Sequence, residues 1–142
     1  MANTAREIMT GGVECVQEDE TVLDAAKKMD QLGVGALPIC GNDDRLKGMI
    51  TDRDIVVKVL AQGKDPSSTK AGELGQGDAK TVTIGADDPI EEALRTMTDH
   101  KVRRLPVIDG RQLVGIISQA DIARNLDEEK TGDLVEAISA AP

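Results

Sequence analysis

The feature that most limits the fold of this 142-residue chain is that it is written twice. "VLDAAKKMDQLGVGALPIC" (22–40) aligns without a gap on "IEEALRTMTDHKVRRLPVI" (90–108). Ala25 meets Ala93, Met29 meets Met97, Val34 meets Val102, and Leu37-Pro38 meets Leu105-Pro106. After a slightly shorter loop, "LKGMITDRDI" meets "LVGIISQADI". Upstream, "AREIM" (5–9) has a weaker counterpart in "AGELG" (71–75), and "VECV" (13–16) one in "TVTI" (81–84). A duplicated unit buries its apolar face in the same way each time, so the pattern of one copy checks the other.

Each copy parses as strand, helix, strand, strand, helix. Val13, Cys15 and Val16 suggest a short strand, as do Thr81 to Ile84. Val22, Ala25, Ala26, Met29 and Leu32 then recur at helical spacing, as do Ile90, Ala93, Leu94 and Met97. Thr21 and the pair Asp88-Pro89 are candidate starts for these helices. "LPIC" and "LPVI" follow, then "GNDDR" or "DGRQ", then "LKGMI" and "LVGII", which is a hairpin pattern. A second helix is expected from Asp52 to Ala61, and from Gln119 to Leu126. The expectation is an α/β (α+β) fold of two β-α-β-β-α repeats. Residues 1–62 form the first repeat, 63–70 a linker within the Gly-, Pro- and Ser-bearing "AQGKDPSSTKAGEL", and 71–128 the second repeat. Residues 129–142 form a tail in which Leu134, Val135 and Ile138 suggest a short added helix.

Composition removes several function classes. A chain of this length can bury roughly 70% of its unfolded surface, but it holds no Phe, Tyr or Trp, so its core is aliphatic. No base can stack on an aromatic ring, and the formal charge of −9 gives no overall attraction to phosphate backbones. A nucleic-acid role is therefore not expected. Apolar runs far shorter than about 20 residues, and an N-terminus without a signal-like apolar region, lead to the expectation of a soluble, cytoplasmic protein with no membrane role. Cys15 and Cys40 lack CxxC spacing, and with the lone His100 they are too few for a closed zinc site, so no metal is expected. No nucleophile motif is present, and the chain is not expected to be an enzyme.

The blocks "GMITDRDI" (48–55) and "GIISQADI" (115–122) place a hydroxyl and a carboxylate three positions apart behind a Gly-led apolar run. This pattern is sufficient for a capping box, with the hydroxyl accepting from a helix N–H and the Asp accepting in return. The same helix start offers free N–H groups to a phosphate, and an ionised Asp can take both hydrogens of a ribose diol. Capping and ligand binding do not exclude each other.

With these blocks in order twice, together with "REIMT", "LPI" and "LPV", residues 5–126 resemble a tandem pair of CBS domains (cystathionine β-synthase domains), the regulatory Bateman module, here as a free-standing CBS-domain protein. The resemblance implies pseudo-twofold packing of the repeats with a cleft on either side. It also implies an adenosine-type ligand (AMP, ADP, ATP or S-adenosylmethionine), no required cofactor, and a homodimer. Carried over by position, Thr51 with Asp54 and Ser118 with Asp121 would hold phosphate and ribose. Each pair would face the base-binding wall of the opposite repeat. Ser118 and Asp121 would look onto Val34, Gly35 and Ala36, and Thr51 and Asp54 onto Val102, Arg103 and Arg104. The first wall leaves room for a purine, and the second adds two cations suited to phosphate. Because Gly35-Ala36 replaces the basic pair, one competent cleft is expected, the one carrying Ser118 and Asp121.

In this topology "VECV" and "LPIC" become neighbouring strands, which makes Cys15 and Cys40 a candidate disulfide or redox pair beside the default of two reduced thiols. Their counterparts, Thr83 and Ile108, cannot pair in this way. Two functions remain from the sequence. One is a regulatory module that senses an adenosine compound and signals to an unidentified effector protein. The alternative is a structural or stress-related CBS protein that has lost its ligand and acts through protein contacts, redox-responsive through its two cysteines.

Overall fold

The computed structural model describes residues 4–75 and 81–139. In chain order the elements are α1 (Ala5–Ile8), β1 (Thr10–Gly11), β2 (Val16–Gln17), α2 (Val22–Leu32), β3 (Ala36–Cys40), β4 (Leu46–Thr51), α3 (Asp52–Asp54), and a π-helix (Ile55–Leu60). There follow α4 (Ala71–Gly75), β5 (Ile84–Gly85), α5 (Ile90–His100), β6 (Arg104–Asp109), β7 (Gln112–Ser118), α6 (Gln119–Asn125) and α7 (Glu128–Ser139). The mixed α and β content and the doubled order β-α-β-β-α are those expected from the sequence. Residues 76–80 of the second repeat and Ala140 to Pro142 of the tail lie outside the described residues.

The chain divides into two compact units, Glu14–Thr81 and Met1–Val13 with Val82–Pro142. The division differs from the linear repeat by an exchange of leading segments. The N-terminal α1 belongs with the second repeat, and α4 belongs with the first. The hydrogen bonds behind each placement are copies of one another. The Ala71 and Gly72 amides donate to the Glu20 and Glu18 carbonyls at 2.8 and 3.0 Å, and the Ala5 and Arg6 amides donate to those of Asp88 and Ala86 at 2.9 and 2.8 Å.

In the Glu14–Thr81 unit the sheet order is β2-β3-β4, with β2 parallel to β3 and β3 antiparallel to β4. β3 is buried along its whole length, and Val16, Leu37, Ile39 and Ile50 from the sheet pack against Val22, Ala25 and Met29 of α2 and Val59 of the π-helix. In the other unit the order is β1-β7-β6-β5, and the core joins Ile84, Leu105, Val107 and Ile117 to Ile90, Ala93 and Met97 of α5. Ala5 and Ile8 of α1 enter this core, as do Leu134 and Ile138 of α7. The docking site of the expected tail helix is thus the second repeat. Both hairpins slip register at the same place, between Ile39 and Cys40 and between Val107 and Ile108.

Four elements depart from the sequence reading. The first strands shrink to Val16–Gln17 and Ile84–Gly85, since only there does the backbone meet its parallel neighbour. The helix expected from Asp52 onward is α-helical for Asp52–Asp54 and then π-helical. Its run Ile55-Val56-Val57 is β-branched, the class that crowds the preceding turn of an α-helix, and a π turn widens that path. Thr10–Gly11 adds a strand, antiparallel to β7, that the sequence pattern did not announce.

Candidate functional site

Thr51 ends β4 in extended backbone and caps α3, and Ser118 ends β7 and caps α6 in the same way. At the first junction the Asp54 amide donates to the Thr51 hydroxyl at 3.1 Å, and the Thr51 amide donates to Asp54 Oδ2 at 3.0 Å. At the second the Ser118 amide donates to Asp121 Oδ2 at 2.8 Å, with the Ser118 hydroxyl 3.1 Å from the same oxygen. The Asp121 amide donates to that hydroxyl at 3.4 Å.

The outer oxygen of each carboxylate has a different partner. Asp54 Oδ1 lies 3.5 Å from Lys58 Nζ, and Asp121 Oδ1 accepts from Arg124 Nη2 at 2.6 Å. Both cations stand one turn along the helix, with more than half of their side chains exposed. Each Asp therefore gives one oxygen to the cap and the other to a solvated cation, a pairing worth little in water. Sequence reasoning passed over Lys58 and Arg124, although i,i+4 and i,i+3 spacing from an Asp is the signal that finds such pairs. The two carboxylates differ in access, with 24% of the Asp54 side chain exposed against 4% for Asp121.

A third box of the same type serves as a reference. Thr21 caps α2, the Asp24 amide donates to its hydroxyl at 3.1 Å, and the Thr21 amide donates to Asp24 Oδ2 at 3.1 Å. The Thr21 backbone N–H, followed by its hydroxyl, holds the Asp24 carboxyl below the ordinary aspartate range. The Thr/Ser-x-x-Asp pattern is thus a cap at all three of these helix starts, whereas at Thr96-x-x-Asp99, inside α5, the Thr96 hydroxyl donates to the Glu92 carbonyl at 2.8 Å. At Pro89 the cap has no side-chain bond, and Asp88 instead accepts from the Gly85 amide at 2.9 Å.

The wall residues of each repeat adjoin that repeat's own cap. Ala36 lies opposite Thr51 in the β3–β4 register, the Asp52 amide donates to the Gly35 carbonyl at 2.9 Å, and Val34 is exposed. Arg104 lies opposite Ser118 in the β6–β7 register; Arg103 and Arg104 are exposed and Val102 is half-buried. His100 ends α5 on the surface. Cys15 and Cys40 are brought together as a disulfide, with Cα atoms 5.7 Å apart. Among the described residues no group of three or more His, Cys, Asp or Glu is placed to hold a metal ion, and no helix is long and apolar enough to cross a membrane.

Compared with known proteins, residues 5–61 and 77–128 both match the family model described as the CBS domain. The chain is 53% identical over 135 residues to hypoxic response protein 1 of Mycobacterium tuberculosis, covering 95% of this chain and 93% of that protein. A crystal structure of hypoxic response protein I with two coordinated zinc ions superposes with a TM-score of 0.80 at 53% identity, over 87% of this chain and 99% of that one. A structure of CBSX2 in complex with AMP superposes with a TM-score of 0.73 at 23% identity, over 87% of this chain and 95% of that one, a likeness of fold.

Proposed function

The chain belongs to the CBS-domain family, and from that premise we propose that it is a non-enzymatic regulatory module that binds an adenosine-type ligand at its strand-to-helix junctions. The observation that carries this reading is the division of labour in Asp54 and Asp121. The inner oxygen holds the cap, while the outer one is held by an exposed cation that a ribose diol can displace. The cap survives binding, so ligand and fold do not compete for one carboxylate. Thr51 and Ser118 take the phosphate or sugar beside these carboxylates, Arg103 and Arg104 supply cations for phosphate, and Val34, Gly35, Ala36 and Val102 line the base. With 24% of its side chain exposed against 4% for Asp121, Asp54 with Thr51 is the more accessible half-site. AMP in the CBSX2 complex supports the ligand class.

The test is calorimetry with AMP, ADP, ATP and S-adenosylmethionine on parent protein and three variants. An Asn in place of Asp keeps an oxygen for the cap amide but presents an NH₂ where the ribose needs an acceptor. Hydrogen bonds to charged groups contribute roughly 1.5–3 kcal/mol each, so Asp54→Asn or Asp121→Asn should weaken binding roughly ten- to 150-fold. Asp24→Asn, in the reference cap, should leave affinity unchanged. Equal affinity in all three variants would refute the assignment.

A second reading, a stress-related CBS protein acting through protein contacts, is favoured by the name of the 53% identical relative. Flat calorimetry across the panel selects it. The zinc ions of that relative's structure bear on it too. Cysteine binds zinc as thiolate, so neither Cys15 nor Cys40 can serve as a thiolate ligand while they are bonded to each other.

A further inference from the structure

We infer that the Cys15–Cys40 disulfide is a thiol-controlled latch whose moving part is α4. The inference is independent of nucleotide binding, and it rests on what each cysteine holds.

Cys40 ends β3, and its carbonyl accepts from the Glu18 amide at 2.9 Å; the Glu18 carbonyl in turn accepts from the Gly72 amide at 3.0 Å. The Cys15 carbonyl accepts from Lys28 Nζ at 2.8 Å, and the same ammonium lies 3.3 Å from Glu20 Oε1. That oxygen also accepts from the Gln17 amide at 2.9 Å, and the Glu20 carbonyl accepts from the Ala71 amide at 2.8 Å. Both chains of bonds run from a disulfide cysteine to one of the two amides by which α4 docks. Between them lies β2, two residues long and, among the described residues, paired only to β3. So short an edge has little stability of its own, and the disulfide is its covalent anchor.

The fit of α4 is close. A Cβ on Gly72 would come within 2.9 Å of the Glu18 carbonyl oxygen and 3.0 Å of the Glu18 Cβ. A turn that shifts when β2 loosens therefore meets α4 directly. The other unit provides an internal control. There α1 docks through the equivalent pair of amides, but Thr83 and Ile108 occupy the cysteine positions.

The step balances with a dithiol reductant. Its thiolate attacks the half-buried Cys15 sulfur, because Cys40 is only 2% exposed, and Cys40 leaves as thiolate. The reductant's second thiolate attacks the mixed disulfide and releases Cys15. The reductant is oxidised to its disulfide and the two cysteines are reduced to thiols, taking two electrons and two protons.

Hydrogen–deuterium exchange of the full chain, oxidised and after dithiothreitol, tests the latch. Amides of Ala71 and Gly72 should exchange roughly tenfold faster or more after reduction, as a local opening does, while those of Ala5 and Arg6 should not change. A Cys15→Ser chain should show the fast rate with or without dithiothreitol. Equal rates at Ala71 and Gly72 in both redox states would overturn the inference. So would equal acceleration at Ala5 and Arg6, which would mean general loosening.

Discussion

Gly33 and Lys101 occupy the same place in the two repeats, just past the first long helix, and both adopt the left-handed conformation, with φ of 67° and 54°. Glycine enters that region without strain, whereas a side chain pays about 1 kcal/mol or more. Lys101→Gly should therefore raise stability by about 1 kcal/mol, read as a higher denaturation midpoint; a lower midpoint would show that the lysine is held by something stronger than its backbone strain. The carboxylates of Asp24, Asp43 and Asp65 all lie below the ordinary range, held there chiefly by the Thr21 amide, the Arg45 amide and the Ser67 hydroxyl. A depressed carboxylate contributes stability above its unfolded pKa of about 3.9 and loses it as pH falls through the lower folded value. Thermal midpoints should thus fall between about pH 5 and pH 3, and by less in Asp24→Asn. The sequence showed the Thr/Ser-x-x-Asp boxes at Thr51 and Ser118 because three-residue spacing is local, and of the third box it showed only the helix start at Thr21. It did not show which oxygen faces water, because that depends on Lys58, Arg124 and the burial of the surrounding helix.

The long amphipathic helices α2 and α5 could be read from spacing alone, since their buried residues Val22, Ala25 and Met29, and Ile90, Ala93 and Met97, are the periodic ones. The short strands were harder to place. Two residues cannot display alternation, and β1 exists only because β7 is there to pair with it. The cost of that pairing is written at Gly115, opposite Gly11 in the register. A Cβ there would lie 2.5 Å from the Met9 sulfur and 2.7 Å from the Thr10 carbonyl oxygen. Met9 can swing aside, but the carbonyl belongs to the strand itself. Gly115→Ala should push β1 off the sheet and cost roughly 1–3 kcal/mol, as overpacking does. Urea denaturation measures the cost, and unchanged stability would mean that β1 contributes nothing to the fold.

Repetition along the chain identified two copies, but copies and cooperative units are different divisions. A cut at residue 70 respects the linker composition and yet removes α4 from the turn at Glu18 and Glu20, to which its amides bond. Ala71 is fully buried in that unit's core, and Leu74 packs against it. The stretch Glu14–Thr81, by contrast, is continuous and carries its whole described core, both cysteines and α4. A domain of that size buries only about 60% of its unfolded surface. Its disulfide closes a separation of 25 residues, which in the chain-entropy account is worth about 3 kcal/mol. Oxidised 14–81 should therefore melt cooperatively on its own by circular dichroism, whereas 1–70, the first repeat with its linker, should be markedly less stable because it carries α1, which packs in the other unit, in place of α4. The second unit cannot be excised so simply, since Ala5 and Ile8 come from the far end of the chain. If 1–70 melted as high as 14–81, the exchange of leading segments would be a feature of geometry without energetic weight.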